Sequence, residues 1–218
     1  MKYGKNKIFK LEKLHSQNID RLSTGFVPPE SSVLEIGCAT GFMGAYLINK
    51  KKCKVVGVEK FPDEAKEAKK VLTKVIQGDI EDNDTLKKIS KEGNFDVILA
   101  SAIIQHLVDP HKALKSWKKF FKKNGRLVIT GSNITHWSMR KKVLFGEFEY
   151  QEYGLLDNTH LHFFTPKTFK KLITDAGYTI EDYKIDSVGG GFPKVSLLLS
   201  KFFPNLFTYQ MVIKAKPL

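Results

Sequence analysis

Val33-Leu34-Glu35-Ile36-Gly37-Cys38-Ala39-Thr40-Gly41 is the stretch on which the fold turns. Four strand-forming positions, one of them acidic, run into a turn bracketed by Gly37 and Gly41, and helical patterning opens at once at Phe42. A strand that passes through such a turn directly into a helix can aim backbone N–H groups and a helix N-terminus at the anionic group of a ligand. A pyrophosphate would ask for Gly-x-Gly-x-x-Gly, which from Gly37 falls on Gly37, Ala39 and Phe42; only the first is glycine, which speaks against a dinucleotide. Glu35, inside the strand, favours a ligand that carries a cation beside a carboxylate, as an amino-acid group does.

Outward from this stretch, strand and helix alternate. Strands are predicted at 31–37, 53–59, 74–79, 95–101 and 126–132, with helices at 40–52, 61–73, 82–93 and 109–125 between them. Pro62 sits near the start of the second helix, and Gly125 is placed at the end of the fourth. Alternation of this kind predicts a parallel sheet covered by helices on both faces, with ligands at the carboxyl ends of the strands. Between 133 and 164 the rhythm breaks into aromatics and histidines without a period, which reads as an insertion over a pocket. Thr165 as N-cap, Pro166 at the first helical position and Gly177 as C-cap then frame a further helix. Strands at 178–188 and 206–216 follow, the latter alternating well enough for an antiparallel partner. The expected organisation is one domain over 1–218, with a helical N-terminal segment at 1–30 and a lid at 133–164. No repeat, low-complexity stretch or linker divides it.

The 218 residues are 42% hydrophobic and 27% charged, which excludes disorder, collagen-like repeats and disulfide miniproteins. The most apolar region, Val195 to Val212, is interrupted by Lys201, Pro204, Asn205 and Gln210, too often for a membrane span. The basic N-terminus lacks the apolar core of a signal peptide, and Cys38 and Cys53 lie in apolar segments without metal spacing. Reduced thiols, a cytoplasmic address and no metal are therefore expected. Of the 36 basic residues behind the formal charge of +13, only Arg21, Arg126 and Arg140 are arginine. A lysine excess of this kind reads as a solvated surface and makes nucleic acid an unfavoured partner. Lys112, Lys115, Lys118, Lys119 and Lys122 fall opposite Ala113, Leu114, Trp117, Phe120 and Phe121, as on an amphipathic helix. Residues 192–207, with Leu197, Leu198, Phe202 and Phe203, suit a second amphipathic helix, open either to packing on the sheet or to peripheral membrane contact.

The opening stretch resembles motif I of class I S-adenosylmethionine-dependent methyltransferases, Leu-Glu/Asp-Ile-Gly-Cys-Gly-x-Gly, with Ala39 in place of the middle glycine. Later landmarks resemble that family in the same order: Glu59 ending the second strand, Gly78-Asp79-Ile80 ending the third, and Phe95 to Ser101 followed by Ile104-Gln105-His106-Leu107. The resemblance covers about residues 30 to 180 and implies a doubly wound, mostly parallel, seven-stranded Rossmann-like sheet with an antiparallel last strand. It implies S-adenosylmethionine as cofactor and S-adenosylhomocysteine as product. Glu59 would hold the ribose hydroxyls, Asp79 the adenine amine and Ile80 the ring face, while Ala100 and Ser101 would border the transferred methyl group. With Glu35, Gly37, Cys38, Ala39, Gly41 and Lys60 these make the expected cofactor contacts.

Methyl transfer from a sulfonium is an in-line displacement, and a hydroxyl acceptor is helped by a base that removes its proton. His106 follows the fourth strand, where the family often has a Glu-His pair; Gln105 replaces the Glu, which argues against carboxylate or metal assistance. Residues 154–165, with Asp157, Thr159 and His160, resemble a segment of a bacterial subgroup that accompanies glycan or lipid biosynthesis, with His162 in place of its arginine. His160, three residues from Asp157, is the preferred base and His106 the second. Structural readings stand beside both: His106 packed at a helix start, and His160 capping a carbonyl while Asp157 and Thr159 bond their own loop. The activity expected is methylation, at oxygen, of a small-molecule, glycan-linked or lipid-linked acceptor. RNA or protein methylation, and cofactor binding by a non-catalytic regulatory protein, are the alternatives; oligomeric state is not legible.

Overall fold

The computed structural model describes residues 11–186 and 193–218. Seven strands form one sheet: β1 (Ser32–Ile36), β2 (Lys54–Glu59), β3 (Lys74–Gln77), β4 (Phe95–Ala100), β5 (Phe121–Ser132), β6 (Tyr178–Asp186) and β7 (Gln210–Pro217). Their spatial order is β3-β2-β1-β4-β5-β7-β6. The first five pair in parallel, and β7 runs antiparallel to both β5 and β6. The strand order reverses between β1 and β4, so the crevice for a ligand opens there, above their carboxyl ends.

Alternation along the strands sorts the core into two layers. Leu34, Ile36, Ile98, Leu127 and Ile129 point to one face, where Leu114 and Trp117 of α5 (Pro110–Trp117) and Phe169 and Ile173 of α7 (Pro166–Asp175) cover them. Val33, Val55, Val97, Leu99 and Val128 point to the other, under Leu22 of α1 (Ile19–Gly25), Met43 and Leu47 of α2 (Phe42–Lys51) and Ala68 of α3 (Pro62–Ala68). α4 (Asn83–Ser90) joins β3 to β4. The Lys51 ammonium donates to the carbonyls of Thr24 and Val27 at 2.7 and 2.6 Å, closing the carboxyl end of α1. Thr165 caps α7 in a reciprocal pair with Thr168, and Gly177 follows with φ +81°, as its cap positions predict.

Two expectations are corrected. The helix expected to reach Gly125 ends at Trp117, and after one tight turn, Lys118–Phe120, the chain is already in β5. Phe121 pairs with Phe95, and Lys122 to Gly125 bulge out before the ladder resumes at Arg126 opposite Val97. Gly125 serves this bulge, since a Cβ there would lie 2.9 Å from the Phe95 carbonyl oxygen. The single helix expected over 192–207 is two pieces, α8 (Pro193–Leu199) and α9 (Pro204–Phe207), because Pro204 cannot continue a helix. Phe202 and Phe203 fall between them and are exposed, while Phe192 lies outside the described residues. The irregular span after β5 contains a short helix of its own, α6 (Trp137–Leu144). Of the helical segment expected at 1–30, residues 1–10 lie outside the described residues; Leu11–Lys13 forms one tight turn and α1 follows.

Gly57 of β2 sits under the β1 turn, where a Cβ would come within 2.6 Å of both Cys38 Sγ and Leu72 Cδ1. Both neighbours are buried, so neither can retreat into solvent. Gly57→Ala is expected to cost about 1–3 kcal/mol by overpacking. Urea unfolding of the two proteins checks it, and an unchanged midpoint would show that the turn has slack.

Candidate functional site

At the β1 turn, the N–H groups of Gly37 and Cys38 both donate to the Val58 carbonyl, at 2.9 and 3.1 Å. The Ala39 N–H donates to Glu59 Oε2 at 2.8 Å, and the Gly41 N–H to the Cys38 carbonyl at 2.8 Å. These amides therefore build the turn, and the expectation that they face a ligand's anionic group is not met by them. Gly37 (φ +70°) and Gly41 (φ +81°) take left-handed backbone that suits glycine. Ala39 takes φ +45° despite its Cβ, in a turn held by the Glu59 bond. The Cys38 side chain is buried in the core, where burial pushes its thiol far up, so any ligand contact falls to its backbone.

Glu35 is 4% exposed, and its Oε2 has no hydrogen-bond partner. It has room because α2 presents Gly44: a Cβ there would lie 2.5 Å from Oε2. The Gly44 N–H donates to the same carboxyl, yet burial dominates and pushes the Glu35 pKa up to about 8, with the charges of Asp20 and Glu59 adding to the rise. Asp20, on α1, is itself raised to about 6 by burial and by Asp186. Gly44 and Asp20 were not singled out in the sequence; a glycine one turn into a helix and an acid at a helix start both look ordinary there.

Glu59 spreads its two oxygens, one to Ala39 N–H and one to Phe61 N–H at 3.0 Å. Its carboxylate retains lone pairs for further donors. Asp79 accepts from the Glu81 N–H at 2.9 Å and pairs with Lys60 at 2.8 Å, and these bonds hold it below the usual carboxylate range against its partial burial. Lys60, expected to contact the ligand, thus takes Asp79 as its partner. Ile80 is 5% exposed and packs in the core. Ala100 is fully buried at the end of β4, and the next residue, Ser101, holds a buried hydroxyl with no partner. Ala102 then adopts φ +53° and donates its N–H to Thr130 Oγ1 at 2.7 Å. A Cβ on Gly37 would lie 3.1 Å from Ile103 Cδ1, so the β1 and β4 turns abut.

Beyond β4, the loop 155–164 docks on the tight turn Ile104–His106. The Gln105 carbonyl accepts from the N–H groups of Leu161 and His162 at 2.8 and 3.1 Å. His106 and His160 meet edge to face, ring centroids 4.7 Å apart. His106 Nδ1 lies 3.2 Å from the Thr159 carbonyl, and His160 Nδ1 3.4 Å from the Leu155 carbonyl. A carbonyl only accepts, so each Nδ1 carries the proton and each Nε2 keeps a lone pair. Asp157 does not orient His160 directly: its Oδ1 accepts from Thr159 N–H and Oγ1, and that hydroxyl lies 3.1 Å from His106 Nδ1. The expectation of a carboxylate-oriented His160 is corrected in favour of the Leu155 carbonyl. Burial pushes both imidazoles below their ordinary range, and the charge of Asp157 opposes this. His160, Gln105, Ser132, His162, Leu155 and Phe163 are among the residues around one small pocket. Among the described residues no group of three His, Cys, Asp or Glu could hold a metal ion, and no helix is long and apolar enough to cross a membrane.

A family model described as a methyltransferase domain matches residues 9–183. A malonyl-[acyl-carrier protein] O-methyltransferase of Priestia megaterium is 33% identical over 119 residues, 52% of this chain and 41% of that one, so the chain spans about two fifths of that relative. Among solved structures, an S-adenosylmethionine-dependent methyltransferase of Thermotoga maritima, described as a possible histamine N-methyltransferase, is similar with TM-score 0.60 at 20% identity, over 90% of this chain and 86% of that one. The magnesium protoporphyrin IX methyltransferase of Synechocystis, with S-adenosylhomocysteine bound, gives 0.59 at 14% identity over 90% and 78%. At these identities the structural likeness is one of fold.

Because the folded protein keeps the Glu35 proton up to about pH 8 while the unfolded chain releases it near the ordinary 4.5, stability from this group falls as pH rises between those values. Glu35→Gln removes that dependence. In urea unfolding from pH 5.5 to 8.5, the variant is expected to gain on the wild type as pH rises; a constant difference would mean that the carboxyl is already ionised.

Proposed function

The chain belongs to the methyltransferase domain family of S-adenosylmethionine-dependent enzymes, and on that premise we propose that it methylates an oxygen of a small-molecule, glycan-linked or lipid-linked acceptor, with His160 as general base. The observation that carries this reading is the His106–His160 pair, each ring held by a carbonyl at Nδ1, with His160 on the wall of the pocket beyond β4. The Priestia megaterium relative is an O-methyltransferase by name, which agrees with oxygen as the atom.

The residues fit the cofactor. The unpartnered Oε2 of Glu35 suits its ammonium group, and the spare lone pairs of Glu59 suit its ribose hydroxyls. Asp79 and Ile80 would take the adenine edge and face, and Ser101 stands with an unpartnered hydroxyl just past the end of β4. When bound, S-adenosylmethionine supplies a methyl group on a positively charged sulfur. The chain's share is to align the acceptor oxygen with that methyl, to exclude water, and to accept the hydroxyl proton on His160 Nε2. Burial keeps His160 unprotonated near neutral pH, and the buried Asp157 carboxylate favours the ring once it is charged. His106 packs edge-on against His160 and steadies the ring.

His160→Ala is expected to lower kcat by about 10²- to 10⁴-fold while the cofactor Kd, measured by calorimetry, stays within about twofold. In the wild type, kcat/KM is expected to rise with pH and level off below the free-imidazole range, because the His160 pKa is lowered. Full turnover by the variant would remove His160 as base. Glu35→Gln is expected to weaken cofactor binding by about tenfold, the loss of one charge-assisted hydrogen bond, as calorimetry would show.

A further inference from the structure

Resting on the methyl-transfer reading, we propose that Gln105 and Ser132 form an uncharged hydrogen-bonding pair that selects an alcohol acceptor over a carboxylate or an ammonium one, so that the product is a methyl ether. Gln105 is 4% exposed, lines the pocket beside His160, and has an Oε1 with no partner. Its backbone is not free to turn, since its carbonyl receives the N–H groups of Leu161 and His162. Its Nε2 donates to Ser132 Oγ at 3.4 Å, and Gln210 Nε2 donates to the same oxygen at 3.3 Å. With both lone pairs of Ser132 Oγ engaged, its own proton is free for another acceptor. Gln105 thus offers an acceptor and Ser132 a donor, the complement of a hydroxyl group.

Charged acceptors fit poorly. Among the described residues no lysine or arginine lines the pocket, so a carboxylate would meet the Gln105 oxygen with none of them to balance its charge. His162 lines it too, but its Nε2 is turned to the Val108 carbonyl at 3.2 Å. An ammonium would need an anion, and the nearby Asp157 is buried and already receives two donors from Thr159. An alcohol is satisfied by groups that are present: Gln105 and Ser132 bind a hydroxyl, and His160 takes the proton as the carbon–oxygen bond forms and the carbon–sulfur bond breaks.

The test gives the intact enzyme S-adenosylmethionine with a deuterated methyl group, together with a small-molecule and lipid extract, and identifies the labelled product by mass spectrometry and NMR. A labelled methyl ether is expected. Gln105→Leu is expected to raise KM for that acceptor about tenfold, with kcat and cofactor Kd within about twofold. Ser132→Ala, a smaller change that keeps the pocket's shape, is expected to move KM in the same direction. A labelled methyl ester or N-methyl product, or an unmoved KM in both folded variants, overturns the proposal. No labelled product of any kind, with the cofactor bound, would instead overturn the transfer reading beneath it.

Discussion

Two amide donors, from Gly37 and Cys38, converge on the Val58 carbonyl, and the ligand end of the sheet is organised around that point. The bond pair carries the β1–β2 ladder past the end of β1 and into the turn. It places Ala39 over Glu59, whose second oxygen then ties down Phe61 and the start of α3. It also sets where α2 begins, and so where Gly44 stands relative to Glu35. Three expected contact residues, Glu35, Ala39 and Glu59, thus owe their positions to one turn. A buried carboxyl with an unpartnered oxygen is costly in a folded protein and is tolerated only where the surrounding structure is rigid.

Much of the fold was legible because its signals are local. The alternation of strand and helix, and Thr165 with Pro166 at the start of α7, each describe a few consecutive residues, and each was found as read. Seven strands with one antiparallel followed from the same patterns. The segment after Trp117 misled for a physical reason. Phe120 and Phe121 are both buried, which satisfies helical spacing, yet Phe121 is buried as the partner of Phe95 in the sheet. Tertiary pairing overrode a pattern that either structure could have produced.

The site was legible in part. Glu59 ends β2, and Asp79 and Ser101 fall just past the ends of β3 and β4, so their neighbourhood could be read because strand ends in a doubly wound sheet converge. The roles of the turn amides were misjudged because sequence shows that an N–H exists, not that Val58 will take it. Gln105 was noticed only as a missing carboxylate; its unpartnered oxygen depends on Ser132 and Gln210, which are distant in sequence and adjacent only across the sheet. The Thr159 link between Asp157 and His106 spans 53 residues and has no local trace.

The charge of +13 stands apart from all of this. Lys51 is spent on α1, Lys60 on Asp79, and Lys122 on Asp96 at 2.8 Å, while among the described residues no lysine lines the pocket. The proposed base, His160, sits on the loop 155–164, and the anchor of that loop is the carbonyl of Gln105. The residue proposed to read the acceptor therefore also holds the loop that carries His160. A change in loop position would move base and reader together, whereas Gln105→Leu leaves the anchoring carbonyl in place and alters the side chain alone. Acceptor recognition and loop docking are for that reason separable at this position, although both pass through it.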